Sequence, residues 1–558
     1  MNNNIIIFLL KRFFTQHKLQ MLSIFIISLI ISLIQVNVLS LITAKIIQSL
    51  QSGLFTNSIY FFKIFIGISI VYIILTYAYK TIQNKMISNL GQWVKHDVMN
   101  VMLEINGYDY MQTNFSKLVS PLQKIASASY VIVNNLLSFL LPNIALLLVI
   151  ICFFFYKSNS FGIIFICFNI ILLLYISQIW NKMMKYNNKY EKLQNTYDNY
   201  IVEVINNFDK VVHTGQNKLE MNNIFDLYNK TKLYGYDYYA YTNKKGLTSN
   251  IILHTNIFIC SGYLIYLFMN KHISITIFIT FFTILIIYKE RFLWTINSIP
   301  DLLQYIGRSY YLLDVFDDIP SKYNSLQNLH FKKHDLSFKN IEFRNVFYKY
   351  NSNKAMILQN YNHIFKFNHN IIGIFGPSGM GKSTLAKMFI KLYNPISGKI
   401  LIDGVNITDI DNIYIRQNIK YINQSSRLFD RTVYANLFYA CSTTSNTRNC
   451  ESLLQEVNHF PKIKELLDKI NSNEMKDKPV GLFGENLSGG QRQIINILSG
   501  LISDSKIIIL DEPTNALDPL LKKDFIKMLH YFKKFKHGIV VITHDKELLP
   551  ILDEVIKL

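Results

Sequence analysis

Six stretches in the first part of the chain are nearly free of charge, and each is about as long as a bilayer is thick. They are residues 19–42, 59–79, 136–155, 161–179, 251–269 and 273–296, the last interrupted by Lys289, Glu290 and Arg291. A helix needs ~20 apolar residues to cross the hydrocarbon layer, and it is the open-ended structure that satisfies its own backbone there. One such run is compatible with a buried core helix, but six in succession predict a six-helix membrane bundle. The first run is too long for a signal-peptide core and lacks a small-residue cleavage site, so it is expected to stay as an anchor.

Lysine and arginine placement sets the expected orientation. Lys11, Arg12 and Lys18 precede the first run, several lysines separate the second from the third, and Lys182 to Lys245 is densely basic. The alternate connections hold little more than Lys45, Lys157 and Lys271. By the positive-inside rule the N-terminus, the two long loops and the C-terminal half are cytoplasmic. Those loops run to about 50 and 70 residues, long enough to need structure of their own, and the simplest solution is that the helices continue into the cytoplasm. The net charge of +20 would suit nucleic acid. Lysine far exceeds arginine, however, and asparagine, isoleucine, tyrosine and phenylalanine are abundant, as a chain-wide compositional bias produces. No nucleic-acid partner is expected. Cys152, Cys167, Cys260, Cys441 and Cys450 form no CxxC pair, and three of them lie in apolar runs. Neither a disulfide framework nor a zinc site is expected.

Beyond residue 338 the pattern changes to short apolar strands, helices and glycine turns. IIGIFGPSGMGKSTLAK carries G-x-x-x-x-G-K-[ST] as Gly376, Pro377, Ser378, Gly379, Met380, Gly381, Lys382 and Ser383. Glycines let backbone N–H groups curl around phosphate oxygens, Lys382 neutralises the β and γ phosphates, and the Ser383 hydroxyl suits Mg²⁺. The following helix adds the partial positive charge of its N-terminus. SKIIILDEPTNALD brings an apolar strand to Asp511 and Glu512, which can serve a metal and an attacking water. Such a carboxylate pair is otherwise a solvated turn, and with a phosphate loop upstream the functional reading is preferred. In IVVITHD, His544 follows another strand, where a lone histidine is ordinarily structural.

The set resembles the ATP-binding cassette (ABC) transporter family: Walker A at 376–383, Gln424 in YINQ, LSGGQ at 487–491, Walker B at 507–511 followed by Glu512, ALD at 516–518, and His544. The resemblance implies an all-α six-helix transmembrane domain with long cytoplasmic extensions, residues 1–320. A linker follows at 321–337, then an α/β P-loop cassette at 338–558 with antiparallel β and helical subdomains. It implies ATP and Mg²⁺ as cofactors, with Ser383, Gln424 and Asp511 around the metal. Glu512, His544 and Lys382 take the catalytic roles, Glu512 as the base for water and His544 as a γ-phosphate contact. Tyr350, in NVFYKY, is implied to stack on the adenine, although an ordinary strand tyrosine would read the same. Thr384 and Asp518 join the nucleotide contacts.

In that family LSGGQ meets the γ-phosphate of ATP held by the other cassette. The resemblance thus assigns Ser488, Gly489, Gly490 and Gln491 to a phosphate on a second chain, and implies a homodimer with two composite sites. A pairing with another half-transporter stays open. The function implied is ATP-driven export or flipping of an unidentified small molecule, lipid or peptide. A nontransporting membrane regulator on the same scaffold is the alternative; a soluble ABC ATPase of nucleic-acid metabolism would lack the six spans. VINNFDKVVHTGQNKLE, residues 204–220, resembles the second cytoplasmic loop of such exporters. Three positions depart from the family pattern: Leu482 stands where a glutamate is usual, and Ile494 and Ser499 replace arginines after the signature. They bear on coupling and helix anchoring, not on hydrolysis. Lys289 and Arg291, finally, either face a cavity or snorkel to the membrane boundary.

Overall fold

The structure is a computed structural model that describes residues 5–108, 119–311, 319–326, 334–350, 356–377, 379–425, 427–441, 447–470 and 477–558. Ser378 and part of the expected linker lie outside the described residues. Contacts divide the chain into two compact units, one of Met1–Leu103 with Thr113–Asn324, the other of Ser325–Leu558 with Glu104–Gln112.

Every apolar run folds as helix. Among the described residues, five helices are long and apolar enough to cross a membrane: Lys18–Gln51, Phe55–Ile105, Pro121–Lys157, Asn159–Asn206 and Asn217–Met269. The expected sixth run lies inside the helix Ile275–Tyr311 but is not among the five, because Lys289, Glu290 and Arg291 break its apolar stretch. The helices Asn159–Asn206 and Asn217–Met269 have 48 and 53 residues. At 1.5 Å per residue each is more than 70 Å long, about two and a half times the ~30 Å hydrocarbon thickness. Their basic ends therefore project well past the apolar runs as continuous helix, with the short helix Phe208–His213 between them. Phe154, Phe161, Phe165 and Phe281 form the aromatic centre of the bundle. Beside them Tyr288 donates to Asn169 Oδ1 at 2.6 Å, which satisfies both buried groups. Two helices loosen for a turn into π geometry, at Ile34–Leu39 and Leu136–Leu140.

Nine strands are formed among the described residues of the second unit. They are β1 Asn340–Tyr348, β2 Leu358–Lys366, β3 Asn370–Phe375, β4 Ser397–Ile402, β5 Val405–Asn406, β6 Ile419–Ile422, β7 Ile507–Asp511, β8 Gly538–Ile542 and β9 Glu554–Lys557. An antiparallel sheet has the order β2-β1-β4-β5, and a parallel one β6-β7-β8-β3-β9. β7 and β8 are buried along their whole length, which explains their unbroken isoleucine, leucine and valine runs. Ile542 of β8 is opposite both Ile374 of β3 and Asp511 of β7. Three carboxyl ends are thereby level, where parallel sheets place their ligands.

One expectation is corrected in the helical part of this unit. Cys441 and Cys450, read as unpaired, are joined by a disulfide. Both are fully buried in the cluster that includes Leu437, Val457 and Leu498. Packing of a turn against the helix Thr447–Glu456 brings them together, and a separation of 9 residues follows no motif. Ile494 and Ser499, which stand for arginines, are likewise buried, so the signature helix is held here by apolar packing.

Candidate functional site

The loop after β3 is shaped by close approach. A Cβ on Gly376 would lie 2.9 Å from Leu558 O, and one on Gly381 2.5 Å from Ile357 Cγ2. Gly379 and Gly381 also sit at φ +88° and +89°, a left-handed conformation that costs other residues about 1–2 kcal/mol. Gly381 is the N-cap of the helix Lys382–Phe389, whose first N–H groups face the loop. Lys382 is buried and bends back: its Nζ donates to Gly376 O at 2.7 Å and Pro377 O at 3.1 Å.

The carboxylates arrive from β7. Asp511 is its last residue, and Tyr421 of β6 donates its hydroxyl to Asp511 Oδ2 at 2.7 Å. Burial, then the Asp511 charge, push the Tyr421 phenol above its ordinary range, so it remains a donor at any physiological pH. The next residue, Glu512, is at φ +49° while its N–H holds Ile542 O at 2.9 Å. That strained turn directs the carboxyl to His544, whose Nδ1 is 3.0 Å from Oε1 and 2.9 Å from Oε2. Gln493 of the helix Gly489–Leu501 braces the segment, donating to Glu512 O at 3.1 Å and accepting from Ala516 N at 3.0 Å. Behind it Asp545 takes Thr514 Oγ1 at 2.9 Å and Lys522 Nζ at 2.6 Å.

These elements enclose a cavity of about 560 Å³. Tyr350, Gly376, Pro377, Gly379, Gly381 and Lys382 line one side, and Ser383, Thr384, Gln424, Asp511, Glu512 and His544 the other. Met380 is exposed and does not line it. Tyr350 sits at the rim with its hydroxyl 2.6 Å from Thr384 Oγ1 and its ring edge-on to Tyr348 and Tyr393. The oxygen donors of Ser383, Gln424 and Asp511 are of the kind Mg²⁺ prefers.

The signature residues lie elsewhere. Ser488 caps the helix Gly489–Leu501 in a reciprocal box, accepting from Gln491 N at 3.2 Å and donating its own N–H to Gln491 Oε1 at 2.7 Å. Gly490 packs so tightly that a Cβ would be 3.1 Å from Ala516 O. Gly489 lines a second cavity of about 640 Å³ with Arg427, Leu482 and Phe483. Of the lining residues only Gln424 is common to the two cavities. Asp518 caps the helix Pro519–Phe532 through Leu520 N and Leu521 N at 3.0 and 2.9 Å. Sequence reasoning missed Tyr421 and Gln493. The first had a clue, a tyrosine three residues before Gln424 in a short strand; the second had none beyond its place in the signature helix.

Residues 362–515 match the family described as ABC transporter. Curated relatives include the lactococcin-G-processing and transport ATP-binding protein LagD of Lactococcus lactis subsp. lactis, 29 % identical over 52 % of this chain and 39 % of its own length. ABC transporter B family member 26, chloroplastic, of Arabidopsis thaliana is 30 % identical over 47 % of this chain and 36 % of its own. The alpha-hemolysin translocation ATP-binding protein HlyB of Escherichia coli O157:H7 is 35 % identical over 37 % and 28 %. The chain thus spans well under half the length of these relatives. A solved bacterial Atm1-family ABC exporter with ATP bound superposes with TM-score 0.75, over 97 % of this chain and 93 % of that one, at 17 % identity. At that identity the likeness is one of fold, and the fold includes the helical half. Residues 362–515 thus carry an ABC transporter domain with its motifs assembled at one sheet edge, and the chain as a whole has the fold of an ABC exporter, with helices of membrane length preceding that domain in sequence.

Proposed function

We propose that the protein is an ATPase that drives export or flipping of a solute as a dimer, with ATP hydrolysed at two composite sites. The observation that carries this reading is the division of the motifs between two cavities of one cassette. The loop that takes the phosphates and the start of the helix after Ser488 do not line a common space among the described residues of one chain. A second copy, turned head to tail, supplies the missing half to each, and two-fold pairing is the commonest closed symmetry. On this reading the N-terminus and the cassette are cytoplasmic, which the basic loops support.

In each site Lys382 and the loop amides hold the β and γ phosphates, and Tyr350 flanks the base. Ser383, Gln424 and Asp511 would hold Mg²⁺, which neutralises charge on the transferring phosphoryl group when bound. Glu512 orients water and accepts its proton. His544, beside both Glu512 oxygens, fixes that carboxyl and reaches the γ-phosphate. ATP binding favours the closed pair, and its hydrolysis lets the pair reopen. Tagged and untagged chains should co-purify, and Ser488→Arg should abolish hydrolysis while nucleotide still binds. Mixed dimers with wild type should lose the site across the seam. Wild-type hydrolysis by Ser488→Arg would refute the two-chain site.

A further inference from the structure

The two π turns of the membrane unit, Ile34–Leu39 and Leu136–Leu140, each bring a polar residue, Gln35 and Ser138, to one cavity of about 120 Å³. π turns recur at functional sites, because the extra residue re-aims a side chain within a helix. The other walls come from the helices Lys18–Leu33, Phe55–Ile87, Leu141–Lys157 and Ile275–Tyr311. The expected orientation places it in the cytoplasmic half of the bundle: Tyr79 ends the second apolar run with Lys80 and Gln83 just beyond it, Ser138 is near the start of the third, and Arg291 is near the end of the sixth.

Its chemistry is one-sided. Among the described residues Lys80 and Arg291 line it and no carboxylate does. Both cations are exposed at its rim, and neither forms an ion pair among the described residues. Deeper in, Gln83 is 4 % exposed. Its Nε2 donates to Ser138 Oγ, which donates on to Asn134 Oδ1 at 3.2 Å. Gln83 Oε1, by contrast, is buried without a hydrogen-bond partner. An orphaned buried amide oxygen costs about 1–3 kcal/mol, which a ligand N–H or O–H would recover. The hydroxyls of Ser28, Ser32 and Thr76 are turned to carbonyls of their own helix, so they do not supply that donor. Ile31 and Leu146 make the remaining wall apolar. The charged trio therefore divides: Arg291 faces this cavity, while Lys289 and Glu290 do not line it.

We propose that this cavity recognises the cargo and takes an organic oxyanion, a carboxylate or phosphate on an apolar body, with an N–H or O–H beside it for Gln83. The oxyanion meets Lys80 and Arg291, two exposed cations that form no ion pair among the described residues. The assignment of the occupant as cargo rests on the export reading above.

The test is equilibrium dialysis of labelled N-acetylglycine, which has a carboxylate, an amide N–H and a methyl group and is small enough for the cavity, against the full chain in phosphatidylcholine nanodiscs. The acid should bind at least about tenfold more tightly than its uncharged methyl ester, the equivalent of ~1.4 kcal/mol. Lys80→Gln with Arg291→Gln should weaken the acid about tenfold and leave the ester unchanged, and Gln83→Leu should weaken the acid and the ester alike. Lys80→Gln alone, at the exposed rim, serves if the double variant does not fold. Displacement of the acid by phosphatidylglycerol in the disc identifies a lipid headgroup as the oxyanion's source, and no displacement identifies a free solute; either keeps the site. Equal affinity for acid and ester, or an acid affinity unmoved by the charge variants, overturns it. ATP-driven accumulation of the acid in proteoliposomes is measured separately. Discriminating binding without any accumulation leaves the oxyanion site standing and removes the export reading.

Discussion

Glu512→Gln separates binding from chemistry. The side chain is buried at the mouth of the nucleotide cavity with His544 Nδ1 within 3.0 Å of both oxygens. Glutamine keeps the length and the carbonyl acceptor for an Nδ1–H, and the φ +49° turn is no harder for it than for glutamate. Loss of stability should therefore stay near one hydrogen bond, about 0.5–1.5 kcal/mol. The amide cannot accept the proton of the attacking water, which removes general-base catalysis worth roughly 10²–10⁴ in rate, or about 3–5 kcal/mol of barrier. Asp511, still held by Tyr421, would continue to support Mg²⁺. Single-turnover hydrolysis should nearly stop while ATP stays bound. Loss of a negative charge beside the γ-phosphate should also favour the closed pair, so a crosslink between cysteines engineered at the seam should strengthen with Mg-ATP and not with ADP. Hydrolysis within tenfold of wild type would refute the assignment of the base and make His544 the next residue to test.

Gly381→Ala should abolish ATP binding, measured by isothermal titration, since its Cβ would collide with Ile357 at φ +89°; wild-type affinity would refute the steric argument. Tyr421→Phe removes a donor from a buried carboxylate, and a hydrogen bond to a charged group is worth about 1.5–3 kcal/mol. Denaturant unfolding of the cassette should register that loss, and an unchanged midpoint would refute it. Lys391, buried with its Nζ on Thr408 O and Ile410 O at 3.1 and 2.9 Å, is pushed down to about 8 by burial. Its unfolded value is ~10.4, so between these values the unfolded chain binds more protons and stability rises with pH. Lys391→Met should flatten that part of the unfolding midpoint's pH profile, and an unchanged slope would refute the assignment.

The sequence made the local parts of this architecture visible and left the cross-chain ones hidden. The loop from Gly376 to Ser383 is readable because each glycine answers a constraint inside one turn, and the apolar runs are readable because a bilayer demands length and composition together. Helix ends were less so: the run 19–42 became Lys18–Gln51 because polar turns prolong a helix that packing already holds. The π turns at Gln35 and Ser138 leave no imprint on composition, since they change a hydrogen-bond offset and not a residue type. Tyr421 escaped notice because its role depends on β6 lying beside β7 in register, with Tyr421 opposite Ile509. Cys441 and Cys450 meet through a buried cluster, and Leu482 proved to be an exposed wall of the signature cavity next to Phe483.

Lys382 has a further consequence through its contacts with Gly376 O and Pro377 O. These carbonyls act as an internal rival to the nucleotide, since the same ammonium group cannot serve both fully. Occupancy of the site by ATP then depends on the difference between two sets of bonds, and the rival raises the apparent dissociation constant by the inverse of the fraction of loops already released. If the latch is worth about 1.4 kcal/mol, that factor is about ten. ADP, which offers no γ-phosphate, has less with which to draw the lysine away. The loop thus discriminates between fuel and spent product before the second cassette has arrived.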